Sequence, residues 1–375
     1  MSVPQAPSRS PMKTDQLFVN LGPQHPSTHG VLRVGLTIEG ELIVKAEPDI
    51  GYLHRGTEKL CEIRTYPQCI VLSDRWDYCS AMTNNLAYCL AVERLLGVRA
   101  PERADALRVV HCELNRIASH LILVGTYGID IGAFTPFLYA FREREMILDL
   151  FEMSSGARLT YNYIRLGGVM RDVTKEFAEK TREFLAYFKP RIDEYDELLS
   201  YNPIFLDRTK GVGALSAKRA VEWGLSGPNL RASGVAYDVR KWEPQCGYEK
   251  YPFKIVLGKN GDCFDRYHCR VREMREAVKI IEAALDGLPE GPVMAKVPKV
   301  VKPAPGEAYA HVEGARGDLG IYAVSDGTAC PYRLHVRAPS FVNLAILQEL
   351  FVGQKLADAI AILGSFDIVL GEVDR

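Results

Sequence analysis

The sequence lacks several common signs of cofactor binding. None of its nine cysteines forms a C-x-x-C pair, the usual spacing in zinc and iron–sulfur sites, and no G-x-G-x-x-G follows a predicted strand. The number of cysteines is odd and the chain is long, which favours buried free thiols over disulfides. We therefore expect this chain to hold no metal, iron–sulfur cluster, flavin or NAD of its own.

Net charge and long apolar runs are also missing. The chain has 46 basic and 47 acidic side chains, and this balance argues against nucleic-acid binding through bulk positive charge. No run approaches the roughly 18 apolar residues that a membrane span requires. What is present is the composition of an ordinary globular protein, with 47% hydrophobic and 25% charged residues in a chain of 375.

Two hydrophobic periods divide the chain. Apolar and polar residues alternate from Val31 to Ala46 around a turn at Glu39-Gly40, which predicts a β-hairpin. Spacings of three and four residues then predict five long helices, and two short strands follow. The helices run from about Trp76 to Gly97, Pro101 to Gly125, Pro136 to Gly156, Thr174 to Leu199 and His268 to Leu285, and the strands cover 319–324 and 332–337. This order predicts an α+β protein, a central long-helix bundle flanked by small N- and C-terminal β elements.

One domain is expected to extend from residue 17 to residue 375. Residues 1–16 are rich in proline and serine and have no apolar segment of the kind found in secretory signals, so we interpret them as a flexible tail. Within the domain we expect a β-rich region at 17–72, a helical bundle at 73–288 with a packed loop at 211–259, a proline-rich linker at 289–305, and β elements with a terminal segment at 306–375.

Two polar segments have ordinary structural explanations. His25 and His29 lie four residues apart in GPQHPSTHG, but the prolines prevent the helix that normally aligns a metal-binding pair. Exposed histidines that bond the backbone are the interpretation favoured by these residues alone. Asp74 and Asp77 suit the first turn of the first long helix, where acids are stabilised, whereas Arg75 between them is disfavoured there.

A stripe of charge lies on the second predicted helix. Glu113, Arg116 and His120 follow one another at steps of three and four residues, on a helix that is otherwise largely apolar. Buried charges need partners, so the stripe is either solvated or paired with the third helix, and structural ion pairing is favoured. The expected partners on the third helix are Arg142, Glu143 and Glu145.

At the level of whole motifs, the sequence resembles the 49-kDa, or D, subunit of respiratory complex I, the proton-translocating NADH:quinone oxidoreductase. That family is related in fold to the large subunits of [NiFe]-hydrogenases. The resemblance covers about Leu17 to Arg375. The motifs that carry it are GPQHPSTHG, GYLHRGTEK, SDRWDY, ELNRIASHL, TPFLYAFRERE, NYIRLGGV, RASGVAYDVRK, REMREAVKII, RAPSFVNL and the terminal GEVDR.

The relation to hydrogenases supplies a rival function. Their nickel and iron are held by two C-x-x-C pairs, and in this chain Val369 and Glu372 stand where the C-terminal thiolates would be. The N-terminal pair would fall near Asp77 and Ser80, with Cys79 close but alone. Soft nickel–iron ligation depends on those thiolates, so their replacement excludes a hydrogenase large subunit. A redox-inert scaffold subunit of the complex remains as the other alternative.

The resemblance also implies a quinone site. His29 and Tyr78 match the family's two ligands of the quinone headgroup, and Asp130 matches the acid that pairs with that histidine. Reducing a quinone takes two electrons and two protons, so a hydrogen-bond donor that can release a proton suits each carbonyl oxygen. Arg75 matches the arginine that packs against the terminal [4Fe–4S] cluster, which a neighbouring subunit holds.

The implied setting is a bacterial respiratory membrane. The resemblance places the chain as a peripheral subunit on the cytoplasmic side of the cell inner membrane, with membrane contact through its partners. Those partners are the cluster-bearing B-type subunit, the C-type subunit and a membrane-arm subunit at the quinone channel. The FMN, the NAD and the [4Fe–4S] cluster would all belong to partner subunits, and quinone would be the substrate.

One departure from the family yields a prediction. Relatives often carry a histidine just before the NYIR-type motif, near the terminal cluster, and Thr160 stands in that stretch here. Without an imidazole that titrates near pH 6.5, the cluster's midpoint potential should change only weakly between about pH 6 and 8. An EPR redox titration of the assembled complex measures this. A slope of about 60 mV per pH unit, the limit of one proton per electron, would mean that another group has taken the role.

Overall fold

The computed structural model describes residues 15–25 and 30–375. The first element along the chain is a three-stranded antiparallel sheet. Its strands are β1 (Gln16–Leu21), β2 (Arg33–Glu39) and β3 (Leu42–Asp49), in the order β1-β2-β3. The predicted hairpin is confirmed, because β2 and β3 pair around the turn that follows Glu39. Gln16, placed in the predicted tail, begins β1 instead, and residues 1–14 of that tail lie outside the described residues.

Helices dominate the rest of the chain. The first group is α1 (Thr57–Cys61), α2 (Tyr66–Ser73), α3 (Ala81–Leu96), α4 (Glu102–Asp130) and α5 (Thr135–Ser155), followed by a two-stranded ribbon of β4 (Ile164–Arg165) and β5 (Gly168–Val169). The second group is α6 (Lys175–Tyr195), a π turn (Asp196–Ser200), α7 (Pro203–Thr209), α8 (Ala217–Glu222), α9 (Gly227–Ala232), α10 (Val239–Trp242), a 3₁₀ turn (Tyr248–Lys250) and α11 (Cys263–Asp286).

A second antiparallel sheet and four helices complete the described chain. The strands are β6 (Gly306–Glu313), β7 (Asp318–Ser325) and β8 (Arg333–Arg337), in the order β6-β7-β8. The helices are α12 (Pro339–Ala345), α13 (Leu347–Leu350), α14 (Leu356–Phe366) and α15 (Leu370–Asp374). Both predicted C-terminal strands are confirmed as β7 and β8, whereas β6 and these helices were not predicted as elements.

The predicted helix ends were partly right. Gly97 ends α3 in the left-handed conformation, as expected of a helix-terminating glycine. The start of α3 was wrong, because residues 74–80 form a loop between α2 and α3 and the helix begins only at Ala81. Gly125 does not end α4. A Cβ at Gly125 would lie 3.2 Å from the Cα of Phe137, so this glycine permits close packing of α5 against α4.

The centre of the molecule is α4. Every residue from 106 to 121 is buried, so this helix is covered on all its sides, and α3, α5, α11 and α14 pack against it. The sheet β6-β7-β8 packs against α3 from outside. One continuous hydrophobic core joins the first sheet, the helices and the C-terminal segment. The predicted fold class, α+β with a central helical bundle, is confirmed.

Membrane-spanning character is not found in the described chain. Across residues 15–25 and 30–375, none of the helices combines the length and the apolar character that crossing a bilayer requires.

A close backbone contact yields a stability prediction. Gly227 begins α9 at φ +67°, and a Cβ there would lie 2.5 Å from the Cα of Gly317 and 2.6 Å from the carbonyl oxygen of Arg316. Backbone atoms cannot move aside as a flexible side chain can, so Gly227→Ala should lower the free energy of unfolding by about 3 kcal/mol. Urea denaturation of the purified chain measures it.

The control for this variant is Gly97→Ala. Gly97 has a similar φ of +65°, but nothing lies within 4 Å of the added Cβ. Gly97→Ala should lower the free energy of unfolding by only about 1 kcal/mol, the cost of an alanine in the left-handed conformation. Equal losses in both variants would show that backbone conformation alone, and not the contact with residues 316 and 317, sets the cost.

Candidate functional site

The loop of residues 74–80 is held rigidly in place from two sides. The Asn84 side chain donates to the carbonyl oxygen of Asp77 at 2.9 Å, and the Asn115 side chain donates to that of Cys79 at 3.2 Å. The Asp77 carboxylate also accepts from the Cys79 backbone N–H at 3.1 Å. Tyr78 lies between Asp77 and Cys79, so its backbone is held in place by side chains of α3 and α4.

The structure brings two of the predicted site residues into one cleft. Tyr78, from this loop, and Asp130, the last residue of α4, line a cleft of about 450 Å³. Ile122 and Ile129 of α4 and Val369 of the terminal segment supply apolar wall. The cleft is thus mainly apolar with a few polar groups, the composition typical of a site for a small organic molecule.

Tyr78 is suited to donate a hydrogen bond into this cleft. Its side chain remains about one third exposed, with 36% of the residue's surface accessible. A phenol is protonated at neutral pH, and burial of the remainder raises the pKa of Tyr78 further. Gly371 allows the terminal segment to approach the ring, because a Cβ there would lie 3.1 Å from Tyr78 Cε1 and 2.7 Å from the Trp76 carbonyl oxygen.

Asp130 lies where α4 meets α14. A Cβ at Gly364 of α14 would lie 2.7 Å from Asp130 Oδ2 and 2.8 Å from the Tyr127 ring, so only glycine lets α14 pack here. His29, the predicted partner of Asp130, lies outside the described residues. Gly30, the next residue in the chain, packs against Leu370, which follows the cleft-lining Val369.

Arg75 is exposed on the same loop as Tyr78. Its Nη1 donates to the Val71 carbonyl oxygen at 2.5 Å, and its own carbonyl accepts from Arg55 Nη2 at 2.8 Å. The same Arg55 nitrogen donates to the Gly371 carbonyl oxygen at 2.8 Å. The loop and the terminal segment are therefore joined on the outer side of the cleft, with the Arg75 guanidinium exposed to solvent.

The prediction that the two acids of this loop stabilise the start of a helix was wrong, because α3 begins only at Ala81, after both of them. Asp77 is buried and forms an ion pair with Arg316 at 2.8 Å. Asp74 follows the end of α2, is fully buried, and burial raises its pKa to about 7. Sequence reasoning missed Asp74 as a titratable neighbour of Arg75, because an acid beside a helix normally indicates a cap.

The positions that correspond to hydrogenase thiolates do not fit a soft metal. Val369 lines the cleft, and Ser80 is buried with its hydroxyl 2.7 Å from Thr83 Oγ1. Glu372 is buried, accepts from the Ser340 backbone N–H at 3.0 Å, and burial raises its pKa to about 7. Among the residues that the structure describes, no group of three or more His, Cys, Asp or Glu side chains is arranged to hold a metal ion.

The charged stripe of α4 is paired, as predicted, but with other partners. Glu113, Arg116 and His120 are all fully buried. Glu113 accepts from Arg240 at 3.2 Å, and His120 Nε2 lies 3.0 Å from Glu273 Oε2 on α11. Arg116 bonds Glu113 and donates to the carbonyl oxygens of 313 and 314. The prediction of pairing with α5 was wrong.

The α5 charges have separate partners. Glu143 is buried and accepts from Tyr195 and Tyr187, while Arg142 bonds Glu143 and Glu194. Glu145 pairs with Arg158 at the surface. These groups join α5 to α6 and to the segment after α5.

Sequence comparison identifies the relatives of this chain. The sequence model of a family described as "Respiratory-chain NADH dehydrogenase, 49 Kd subunit" matches residues 130–305 and 299–375. The D subunit of the NADH-quinone oxidoreductase of Desulforamulus reducens is 55% identical over 363 residues, 97% of this chain and 99% of that protein. The protein of the same name from Carboxydothermus hydrogenoformans is 52% identical, over 97% of this chain and 100% of its own length. The D 2 subunit of the Solibacter usitatus enzyme is 52% identical, over 98% of this chain and 100% of its own length.

Fold, cleft and comparison agree. The fold and the cleft define an α+β protein with a helical centre and an apolar cleft in which the described residues form no metal site. The chain belongs to the family of the 49-kDa subunit of respiratory-chain NADH dehydrogenase. The resemblance stated from the motifs is thereby confirmed.

The buried ion pairs yield a prediction about stability. Glu273 of α11 pairs with Arg231 at 2.7 Å and with His120, and is 2% exposed. Burial opposes its ionisation, but Arg231 and His120 hold the pKa of Glu273 well below its usual range. Glu273→Gln removes one of the carboxylates that Arg231 meets and leaves Glu313, at 2.7 Å, as its partner. The variant should therefore lower the free energy of unfolding by about 2 to 3 kcal/mol at neutral pH. Urea unfolding of the purified chain measures it.

Acid pH and a second variant on the same helix provide the controls. A depressed carboxylate pKa stabilises the fold above the unfolded value of about 4.3, and this stabilisation is lost as the pH falls through the lower folded pKa. The difference in the free energy of unfolding between wild type and Glu273→Gln should therefore become smaller at acid pH. Glu282→Gln breaks only an exposed pair with Lys189 and should cost less than about 1 kcal/mol. A similar loss in both variants would contradict the prediction.

Proposed function

We propose that this chain works as the quinone-site subunit of a proton-translocating NADH:quinone oxidoreductase. As a member of the 49-kDa family it is a subunit of such a complex, and its relatives carry that enzyme's name. The observation that carries the finer proposal is the meeting of Tyr78 and Asp130 in one mainly apolar cleft. In the sequence these residues are far apart, and only the fold joins them.

The chemistry of the cleft suits a quinone headgroup. Apolar walls favour a ring, and a protonated phenol can donate to one carbonyl oxygen as that oxygen gains electron density. We assign this donor to Tyr78, which lines the cleft and, like any tyrosine, is protonated at neutral pH. His29 is proposed as the donor to the second carbonyl, with Asp130 to balance the charge change when the imidazole gives up its proton.

The electrons would come from outside this chain. We assign to Arg75 a position beside a [4Fe–4S] cluster of the B-type partner, since its guanidinium is exposed on the loop that carries Tyr78. A fixed positive charge there would raise the reduction potential of the cluster. FMN and NAD are assigned to further partner subunits, as no dinucleotide motif occurs here.

The same proposal assigns a location. Contacts with the B-type, C-type and membrane-arm subunits would hold the chain on the cytoplasmic side of the cell inner membrane, as a peripheral subunit. Quinone would then reach the cleft through a channel shared with the membrane arm. This arrangement would leave the chain's own helices free of membrane contact.

Tyr78→Phe tests the quinone site. The change removes the phenolic hydroxyl and retains the ring that packs against Gly371. A lost hydrogen bond should cost about 1 to 3 kcal/mol, equivalent to roughly a fivefold to 160-fold lower kcat/KM for quinone. The measurement is quinone reductase activity of the purified complex. Transfer from NADH to an artificial acceptor should be unchanged, because those electrons need not pass through this chain, and gel filtration of the complex checks its assembly.

A matched control separates the hydroxyl from general effects of the substitution. Tyr201→Phe makes the same change at an exposed tyrosine that does not line the cleft, and its activity should equal that of wild type. His29→Ala should reduce activity at least as much as Tyr78→Phe, because a proton source is removed. Wild-type quinone reduction by assembled Tyr78→Phe and His29→Ala complexes would favour the scaffold alternative.

A further inference from the structure

Arg316 joins the walls of the cleft. Its side chain is 2% exposed and lies at the turn between β6 and β7. Nη1 donates to Asp77 Oδ2 and to Ser119 Oγ, both at 2.8 Å, and Nη2 donates to Asp367 Oδ1 at 3.0 Å. Nε donates to the Asp367 carbonyl oxygen at 3.1 Å. One planar group thus bonds three separate segments of the chain.

These three segments are the ones that build the cleft. Asp77 precedes Tyr78 on the loop, and Asp367 begins the terminal segment. Ser119 lies on α4, about one turn before Ile122, the first residue of that helix to line the cleft. Arg316 and Asp367 line the cleft themselves. Arg55 joins the loop to the terminal segment on the outer side, and Arg316 is the group that joins both of them to α4 beside the cleft.

The backbone of Arg316 is fixed as firmly as its side chain. The turn is closed by the hydrogen bond from Gly314 N–H to the Gly317 carbonyl oxygen, at 2.7 Å. Asn343 donates to the Arg316 carbonyl oxygen at 3.2 Å, and Gly227 packs directly on the turn. Because both the backbone and the guanidinium of Arg316 are held by hydrogen bonds, the side chain has little freedom to move, and it can hold its partners in position.

Charge adds to the same constraint. Asp77 and Asp367 are both buried, and each would repel the other without a cation between them. Arg316 meets both, and Arg270 of α11 lies 3.6 Å from Asp367 on its other side. Two arginines therefore face these two carboxylates beside the cleft, and each buried acid has a cation within 4 Å.

We propose that Arg316 is the positioning residue of the quinone site, which sets the place of Tyr78 relative to Asp130 and Val369 by bonding all three walls. This inference rests on the proposed function of the cleft. Arginine is required because its planar fork makes several directed bonds at once, whereas a lysine ammonium offers three donors from a single point.

Arg316→Lys in the assembled complex tests this inference. Lysine retains the positive charge between the two acids but cannot span the same set of acceptors. If Arg316 positions the walls, KM for a short-chain quinone should rise about tenfold while kcat falls less than about threefold, because the displaced walls bind the headgroup less well in the ground state and the transition state alike. If it only neutralises the acids, Arg316→Lys should match wild type, and the inference is overturned.

The control is Arg108→Lys, the same substitution at another fully buried arginine of the core. Arg108 pairs with Glu93 near the start of α4 and does not line the cleft. Its KM should equal that of wild type. An equal rise in KM for Arg108→Lys would show that loss of core stability produces the effect, and would overturn the proposal.

Ser119→Ala covers the case in which Arg316→Lys does not assemble. It removes a single bond of the guanidinium and no charge, and KM should rise about twofold to threefold. An unchanged KM in that variant would overturn the inference. Tyr78→Phe, measured alongside, separates the two proposals. If it lowers quinone reduction while the Arg316 and Ser119 variants do not, only the positioning role fails; if it has no effect, the quinone site itself fails.

Discussion

The structure depends on the burial of a charged helix. Helix α4 is covered along residues 106–121, yet it carries ionised side chains that cannot be moved to a solvated face. Burying such groups without partners would cost several kcal/mol each, so every one must meet an opposite charge or a backbone oxygen. Glu113, Arg116 and His120 find partners on α10, α11 and the β6–β7 turn, more than 100 positions away in the chain, whereas Arg108 pairs with Glu93 of α3. The surrounding elements are thereby fixed in orientation as well as packed.

This constraint explains which parts of the fold the sequence could predict. The hairpin of β2 and β3 and the end of α3 at Gly97 follow from local alternation and from one glycine, and both were predicted. Helix α14 was missed because its buried residues 359 and 361–366 show no contrast between an apolar and a polar face. The helices of four to seven residues are shorter than the window in which a period can be recognised.

The candidate site was predicted through whole motifs and not through residue chemistry. Tyr78 and Asp130 are ordinary residues in their local context, an aromatic side chain in a loop and an acid beside a glycine. The partners of the α4 stripe were wrongly assigned for a related reason: adjacency in sequence favoured α5, whereas pairing across the core is set by tertiary packing. Arg316 gave no local signal, since a Gly-Ala-Arg-Gly turn does not reveal which side chains its arginine will reach.

The interlocking of Asp77, Arg316 and Asp367 has a consequence for how this sequence can diverge. Replacement of the arginine alone leaves two buried acids facing one another, and replacement of either acid leaves a cation in excess. Intermediate sequences with one change are therefore penalised, although a sequence with all three replaced need not be. The three positions are energetically coupled, and we expect them to be retained or replaced together during evolution. The apolar wall formed by Ile122 and Val369 can instead vary one residue at a time.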